Sequence, residues 1–265
     1  MRDIKNNKTP EIVMSMTSFP EVLDFAEKTI KTILEGSVLP DRLVLYLTPS
    51  EFKDKPIPVS LLNLVKSNPI LEIRYYPDEI RSYGKLIPAL KDFPEDIIVT
   101  IDDDVYYHRN MLEMLLKTHK KHPDAICAHR ARKIKPSLPY RKWRKYKWYH
   151  FLLKRTYKSP FILPTGVGGV LYPPHSLKED MLDPELFLKL APTADDIWFW
   201  AAALANDTAV IPVPFGIYKP IDMPKPNNLS LKTVNFRGGV ENNVATFNRI
   251  LDAFPQLKKK LYDEN

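Results

Sequence analysis

The chain has 265 residues, of which 44% are hydrophobic and 27% are charged, and its formal net charge is +7. This composition is typical of a folded globular protein and excludes disordered, collagen-like and coiled-coil classes. A single cysteine, Cys127, excludes a disulfide framework and a multi-cysteine metal site. No stretch supplies the roughly 20 helix-compatible apolar residues of a membrane span. The first residues also lack the apolar core of a secretory signal, so we expect a cytoplasmic protein.

The first hundred residues alternate between short apolar runs and helical patterns. Strands are predicted over residues 12–16, 42–47, 71–75 and 97–101. Helices are predicted from a capping box of Ser18 and Glu21 to Gly36, over residues 61–65, and over residues 85–91. This alternation predicts an α/β fold with a mostly parallel sheet covered by helices on both faces. Ligands of such sheets bind beyond the carboxyl ends of the strands, so Thr17, Ser18 and the acidic run at 102–104 should share one edge.

The second half of the chain is less regular. We predict a helix over 111–122, a strand over 125–129, helices opened by capping boxes at Ser176/Glu179 and Thr193/Asp196, and a last helix over 242–254. Residues 221–241 are predicted to be an irregular loop, and a charged tail follows the last helix. No internal repeat or flexible linker interrupts the pattern, which indicates a single domain over residues 1–265.

The positive charge is concentrated in residues 133–160, which hold ten Lys and Arg and no acid, while the rest of the chain carries a net −3. Aromatic residues alternate with these cations. Such a segment can be a solvated surface helix, a contact to anionic lipid, or a binding surface for an acidic or sugar acceptor. Aromatics among cations also bind single-stranded nucleic acid, but no nucleic-acid-binding motif accompanies them, so this interpretation is disfavoured.

Three consecutive carboxylates, Asp102, Asp103 and Asp104, follow the fourth predicted strand. A divalent cation would offset the repulsion between them, and oxygen ligands suit Mg²⁺ or Mn²⁺. On an extended backbone Asp102 and Asp104 would point the same way, one toward a metal and the other toward a ribose or a metal-bound water. The alternative is a solvated acidic turn or a helix cap.

Four segments in a fixed order resemble bacterial glycosyltransferases of the GT-A type, which often serve capsule or lipopolysaccharide biosynthesis. They are YGKLIPAL, TIDDDV, TGVGGVLYPP and ADDIWFW. The resemblance covers residues 12–200 and does not specify the sugar. It implies a Rossmann-like GT-A domain with a nucleotide-sugar half over about residues 11–110, an acceptor half over about 111–220, and a lid and helix over 221–265.

The resemblance also implies roles for individual residues on the donor side. Thr17, Ser18 and Phe19 would hold the nucleotide base. Asp102, with Asp103 beside it, and Asp104 would bind the ribose and a metal that bridges the diphosphate, because a metal neutralises the charge that develops on this leaving group.

Two cations and a glycine cluster complete the predicted site. Arg81 and Lys85 would add positive charge at the phosphates or pack on the base, the alternative being solvated surface cations. Gly166, Gly168 and Gly169 would form the floor of the acceptor and donor-sugar pocket, the alternative being a plain β-bulge.

A second acidic pair, Asp195 and Asp196, starts a predicted helix. Thr193 and Asp196 have capping-box spacing, so Asp196 could satisfy a backbone N–H. The resemblance implies instead that one of the pair is the general base of an inverting transfer, with Asp196 favoured over Asp195. A helix N-terminus lowers the pKa of a carboxylate, which would keep that base ionised but weaken it.

The sequence therefore predicts a metal-dependent glycosyltransferase that uses Mn²⁺ or Mg²⁺ and a nucleoside-diphosphate sugar, with UDP favoured, to modify a surface-glycan or glycolipid acceptor. Residues 133–160 are candidates for peripheral contact with the inner face of the cell membrane. Two alternatives stay open. A sugar nucleotidyltransferase shares the sheet but normally has a glycine-rich loop where this chain has MTSFPE, and a non-enzymatic protein could bind membranes or anionic polymers.

Overall fold

The fold is known from a computed structural model that describes residues 9–138, 140–146, 158–214, 221–223 and 240–263. Its strands are β1 Ile12–Thr17, β2 Arg42–Leu47, β3 Leu71–Tyr75, β4 Ile97–Thr100, β5 Val105–Tyr106, β6 Ile126–Ala128, β7 Ala131–Lys133, β8 Arg144–Lys145, β9 Ile162–Pro164, β10 Val170–Tyr172, β11 Val210–Pro212 and β12 Ile221–Asp222. Seven of them form one sheet in the order β11-β6-β10-β4-β1-β2-β3.

The sheet is mostly parallel, as the sequence predicts. Strand β1 pairs in parallel with β2 and β4, β2 with β3, and β6 with β11, whereas β10 runs antiparallel between β4 and β6. Val170 at the start of β10 pairs with Thr100 at the end of β4. The loop before β10 therefore reaches the same edge of the sheet as the carboxyl ends of β1 and β4.

Helices cover both faces of this sheet, and the predicted α/β class is confirmed. The α-helices are α1 Leu23–Leu34, α2 Val59–Ser67, α3 Ile87–Asp92, α4 Met111–His119, α5 Pro184–Leu190, α6 Asp195–Ala205, α7 Val240–Ala253 and α8 Pro255–Asp263. Alternate residues of β1 point to opposite sides. Val13 packs in a core with α3 and α6, and Met14 packs in a second core with α1 and α4.

The predicted capping boxes are wrong. Ser18 caps no helix: a 3₁₀ turn, Pro20–Val22, follows Phe19 and leads into α1. At Ser176/Glu179 only a 3₁₀ turn forms, Glu179–Met181, while the nearby α5 is capped by Asp183, which accepts the Glu185 N–H. Helix α6 follows Ala194 without a side-chain cap. Local spacing alone selected these pairs, and the Ser18 hydroxyl and the Asp196 carboxylate bond to distant residues instead.

The basic segment is not a surface helix over its described residues. Residues 140–142 form a 3₁₀ turn, and β8 pairs antiparallel with β7. Trp143 is buried, donates its Nε1–H to the carbonyls of Lys135 and Leu138, and packs edge-on against Phe247. Residues 147–157 lie outside the described residues. The tail that follows the predicted last helix is itself helical, as α8.

Among the described residues, no helix combines the length and apolar character needed to cross a lipid bilayer.

Candidate functional site

The site lies at the sheet edge where β1 and β4 end. Thr17 ends β1, and its Oγ1 donates to the carbonyl of Tyr46 at 3.0 Å. The buried Ser18 hydroxyl donates to Asp103 Oδ2 at 2.7 Å. The prediction that these two segments share one edge is confirmed by this contact. Phe19 follows at the start of the turn into α1 and is half-buried.

The acidic run does not continue the strand. Strand β4 ends at Thr100, and Asp103 and Asp104 lie in a turn, so the extended backbone assumed for Asp102 and Asp104 is wrong. Tyr107 orients the run, because its hydroxyl accepts the Asp102 N–H at 2.9 Å. The Asp104 carbonyl accepts the N–H of Met223, which follows β12. The alternative interpretation, a solvated acidic turn, is therefore incomplete, because these residues lie in a turn but are half-buried.

Lys85 is the centre of the site. Its side chain is only 9% exposed, and its Nζ lies 2.9 Å from Asp102 Oδ1 and 2.8 Å from Asp195 Oδ2. Burial lowers the pKa of an ammonium group, but the charges of Asp102 and Asp195 outweigh that effect here and hold the pKa of Lys85 well above its usual value. The interpretation of Lys85 as a solvated surface cation is wrong.

Asp195 and Asp196 open α6 on the other side of Lys85. Asp196 Oδ1 accepts the backbone N–H of Gly166 at 2.9 Å, a bond across the site. Burial, followed by the negative charge of Asp195, raises the pKa of Asp196 from 3.8 to about 7. The expectation that the helix N-terminus lowers this pKa is therefore wrong, because desolvation and a like charge dominate.

The glycine cluster forms a 3₁₀ turn, Gly166–Gly168, rather than a bulge. Gly166 faces the acids: a Cβ there would lie 2.8 Å from Lys85 Nζ and 3.2 Å from Asp196 Oδ1. Gly168 and Gly169 face elsewhere. A Cβ on Gly168 would meet His129 and Arg130, and one on Gly169 would meet Met111. Of the three glycines predicted to form the floor of the pocket, Gly166 is the one that lies against Lys85 and Asp196.

Tyr83 fixes the turn that carries Lys85, a role that the sequence analysis missed. Its hydroxyl donates to the Ala191 carbonyl at 2.6 Å, and its ring stacks on Phe187 with centroids 4.0 Å apart. The aromatic beside Gly84 in the YGK string was the available signal. Arg81, on the same turn, is exposed, with a φ of 54° and its Nη1 3.5 Å from the Pro192 carbonyl.

Two histidines, His129 and His175, lie apart from these contacts. His129 is buried, with Nε2 2.8 Å from the Met111 carbonyl. His175 is exposed, with Nε2 3.1 Å from Glu95. Among the described residues, no group of three or more His, Cys, Asp and Glu side chains is arranged to hold a metal ion.

Comparison with known proteins bears on this geometry. Residues 82–171 match the family model of glycosyl transferase family 2, about a third of the chain. No curated protein matches the chain. The matched range includes Lys85, the acidic run and Gly166, and ends before Asp195. The match supports a glycosyltransferase that uses a nucleotide-sugar donor, and the mostly parallel, helix-flanked sheet is consistent with the GT-A fold.

Proposed function

We propose that the protein transfers a sugar from a nucleoside-diphosphate donor, with UDP favoured, to a hydroxyl group of a glycan or glycolipid acceptor, with inversion at the anomeric carbon. One observation carries the proposal. A buried lysine joins the acidic run at the end of β4 to an acidic pair at the start of α6, beside a glycine backbone that belongs to the family match. The acidic run and the acidic pair, to which we assign donor binding and base catalysis, thus contact one lysine at the edge of the sheet.

Asp196 is the general base in this proposal. Base catalysis is most efficient when the pKa of the base lies near the working pH, and the pKa of Asp196 is raised to about 7. Asp195 instead faces the Lys85 ammonium at 2.8 Å. As the acceptor oxygen bonds to the anomeric carbon, its proton passes to Asp196, and the bond from that carbon to the diphosphate oxygen breaks with its electron pair on the leaving group.

The donor side is formed by the ends of β1 and β4. In the proposal Thr17, Ser18 and Phe19 lie against the base of the nucleotide. Ser18 bonds to Asp103, and Tyr107 bonds to the backbone of Asp102, so contacts within the protein hold this rim in place. In the proposal, Gly168 and Gly169 contribute to the pocket only through their backbone. A Cβ added at either residue would point into the protein, toward His129 and Arg130 or toward Met111.

The carboxylates of this rim fit Mg²⁺ or Mn²⁺ in chemical type, since both prefer oxygen ligands. Asp104 and the oxygen of Asp102 that does not face Lys85 would hold the ion, together with the donor's own phosphates. When bound, such an ion neutralises charge on the diphosphate as a Lewis acid. Arg81 is the exposed cation of the neighbouring turn that we place near the phosphates.

Localisation in the cytoplasm at the inner face of the membrane is part of the proposal. Lys135, Lys142, Arg144 and Lys145 are exposed, and each cation near an anionic surface is worth about 1 kcal/mol. The aromatic residues of the segment support membrane contact less than the sequence suggests, because Trp143 is buried in the protein. Liposome binding of a variant with these four cations changed to alanine tests the contact.

The reaction is tested by incubating the purified protein with a panel of nucleotide sugars and glycan acceptors and measuring nucleotide release. We expect turnover with one donor class. We expect Asp196→Asn to lower kcat about 10²–10⁴-fold, and the exposed Asp180→Asn to leave it unchanged. Release of pyrophosphate from a nucleoside triphosphate and a sugar 1-phosphate, without transfer, would instead support a nucleotidyltransferase.

A further inference from the structure

The ammonium group of Lys85 contacts one carboxylate from each side of the site. Lys85 ends the 3₁₀ turn Arg81–Lys85, Asp102 follows β4, and Asp195 is the first residue of α6. The 2.9 Å contact to Asp102 Oδ1 is a charge-assisted hydrogen bond, and the 2.8 Å contact to Asp195 Oδ2 is an ion pair. A single buried cation therefore links the donor-side acid to the acceptor-side helix.

The surroundings leave this ammonium little freedom. The backbone of Gly166 closes over it so tightly that a Cβ would come within 2.8 Å of Nζ and 3.4 Å of Asp102 Oδ1. Moving Nζ away would leave two carboxylates, 28% and 13% exposed, without their cation. Removing one partner of a buried ion pair is strongly unfavourable, because the other charge stays buried without compensation.

The turn that carries Lys85 is itself fixed to the acceptor side. Tyr83 bonds to the Ala191 carbonyl and stacks on Phe187 of α5. The lysine therefore approaches Asp195 from a scaffold that is already packed against the segment leading into α6. Its position follows from the fold and needs no bound donor.

We propose that Lys85 is a positioning residue that couples the two carboxylate groups, holding Asp195 in place at the start of α6 so that Asp196 faces the acceptor, rather than a ligand of the donor phosphates. The catalytic part of this inference rests on the proposed transferase function. The contact of Lys85 with Asp102 and Asp195, called the bridge below, does not rest on that function and can be measured without a substrate.

The test is a double-mutant cycle of Lys85→Met, Asp195→Asn and the double variant, with the exposed Lys91→Met as the matched control. If Lys85 acts through Asp195, either single change disrupts the same arrangement, and misplacement of this kind costs about 10²-fold in kcat. The double variant is then expected to be no worse than about 10²-fold, because the second change has nothing left to remove.

Two results would overturn the positioning role. Effects that multiply to about 10⁴-fold in the double variant would mean that the two residues act independently. A Lys85→Met variant with normal kcat and a raised KM for the donor would identify a phosphate ligand instead. Lys91→Met is expected to change neither constant.

A second readout covers the case in which Lys85→Met does not fold. Asp195→Asn keeps the lysine and disturbs the same arrangement, so we expect kcat to fall about 10²-fold while the dissociation constant of UDP or GDP, measured by calorimetry, stays within about twofold of the parent value. Asp180→Asn is the control. A normal kcat in Asp195→Asn would contradict the positioning role.

The bridge is also measured by thermal unfolding of the four proteins of the cycle. We expect the Tm of the double variant to equal or exceed that of Lys85→Met, because both members of the pair are then neutral. Additive losses would refute the bridge. If no donor is turned over but the Tm values are coupled, the transferase proposal fails while the bridge stands.

Discussion

Replacing Asp196 with asparagine is expected to make the protein more stable at pH 8 while it loses activity. The amide has nearly the same shape and still accepts the Gly166 N–H through Oδ1. What it removes is a charge that the fold disfavours, because burial and Asp195 raise the pKa of Asp196 from 3.8 to about 7. Between these two values the folded protein holds a proton that the unfolded chain has released. The free energy of unfolding therefore decreases as the pH rises toward 7.

The size of the effect follows from the displacement of the pKa. One unit corresponds to about 1.4 kcal/mol, so the charge costs at most about 4 kcal/mol at pH 8. At pH 5 most of this cost is absent, because the folded protein carries the neutral acid. We expect the stability advantage of Asp196→Asn to shrink by about 3 kcal/mol between pH 8 and pH 5.

Urea unfolding followed by tryptophan fluorescence measures this difference, since Trp143, Trp198 and Trp200 are all buried. The exposed Asp180→Asn is expected to show no change in stability that depends on pH. An Asp196→Asn protein that is less stable than the parent at pH 8, or equally more stable at both pH values, would refute the assignment of a raised pKa.

Four further outcomes are expected. Transfer by the parent protein should rise with pH through about pH 7 as Asp196 loses its proton, and a flat rate between pH 5.5 and 8.5 would exclude it as the base. Gly166→Ala should lower kcat about 10–100-fold, because the new methyl group displaces Lys85, whereas Val167→Ala should not. Asp104→Ala and a chelator should each abolish transfer. Undiminished activity in both experiments would refute the proposed metal requirement. Trp143→Ala should lower the free energy of unfolding by about 3–5 kcal/mol in urea titrations.

Strands β1 to β4 and β6 were predictable because each is a short apolar run with no competing pattern, whereas β5 and β7 to β12 were not predicted. The sequence also located the edge of the sheet at which Ser18 and Asp103 meet, since parallel strands bring their carboxyl ends together. The hydrogen-bond partners of the predicted helix-capping side chains could not be predicted in the same way. The Ser18 hydroxyl bonds to Asp103, and Asp196 accepts the Gly166 N–H, both across long intervals of sequence.

The burial of Lys85 could not be derived from its neighbours in the sequence. A lysine between a glycine and a leucine is usually exposed, and its second partner, Asp195, lies on a helix far along the chain. The helix α8 was missed because its composition is charged, although Leu257 and Leu261 are spaced to bury one face and do so. Both errors arise where tertiary packing overrides a local pattern.

Because Tyr83 stacks on Phe187, the two sides of the site cannot be exchanged separately between related proteins without loss of this contact. A fragment limited to residues 82–171 would carry the tyrosine, the lysine and the acidic run without the aromatic ring and helix that hold them. A chimera joined anywhere between Tyr172 and Pro184 would have to import both a flat ring for the tyrosine and an acid for the lysine. An acceptor-side segment can therefore be exchanged only with one from a protein that supplies both the aromatic ring and the acid.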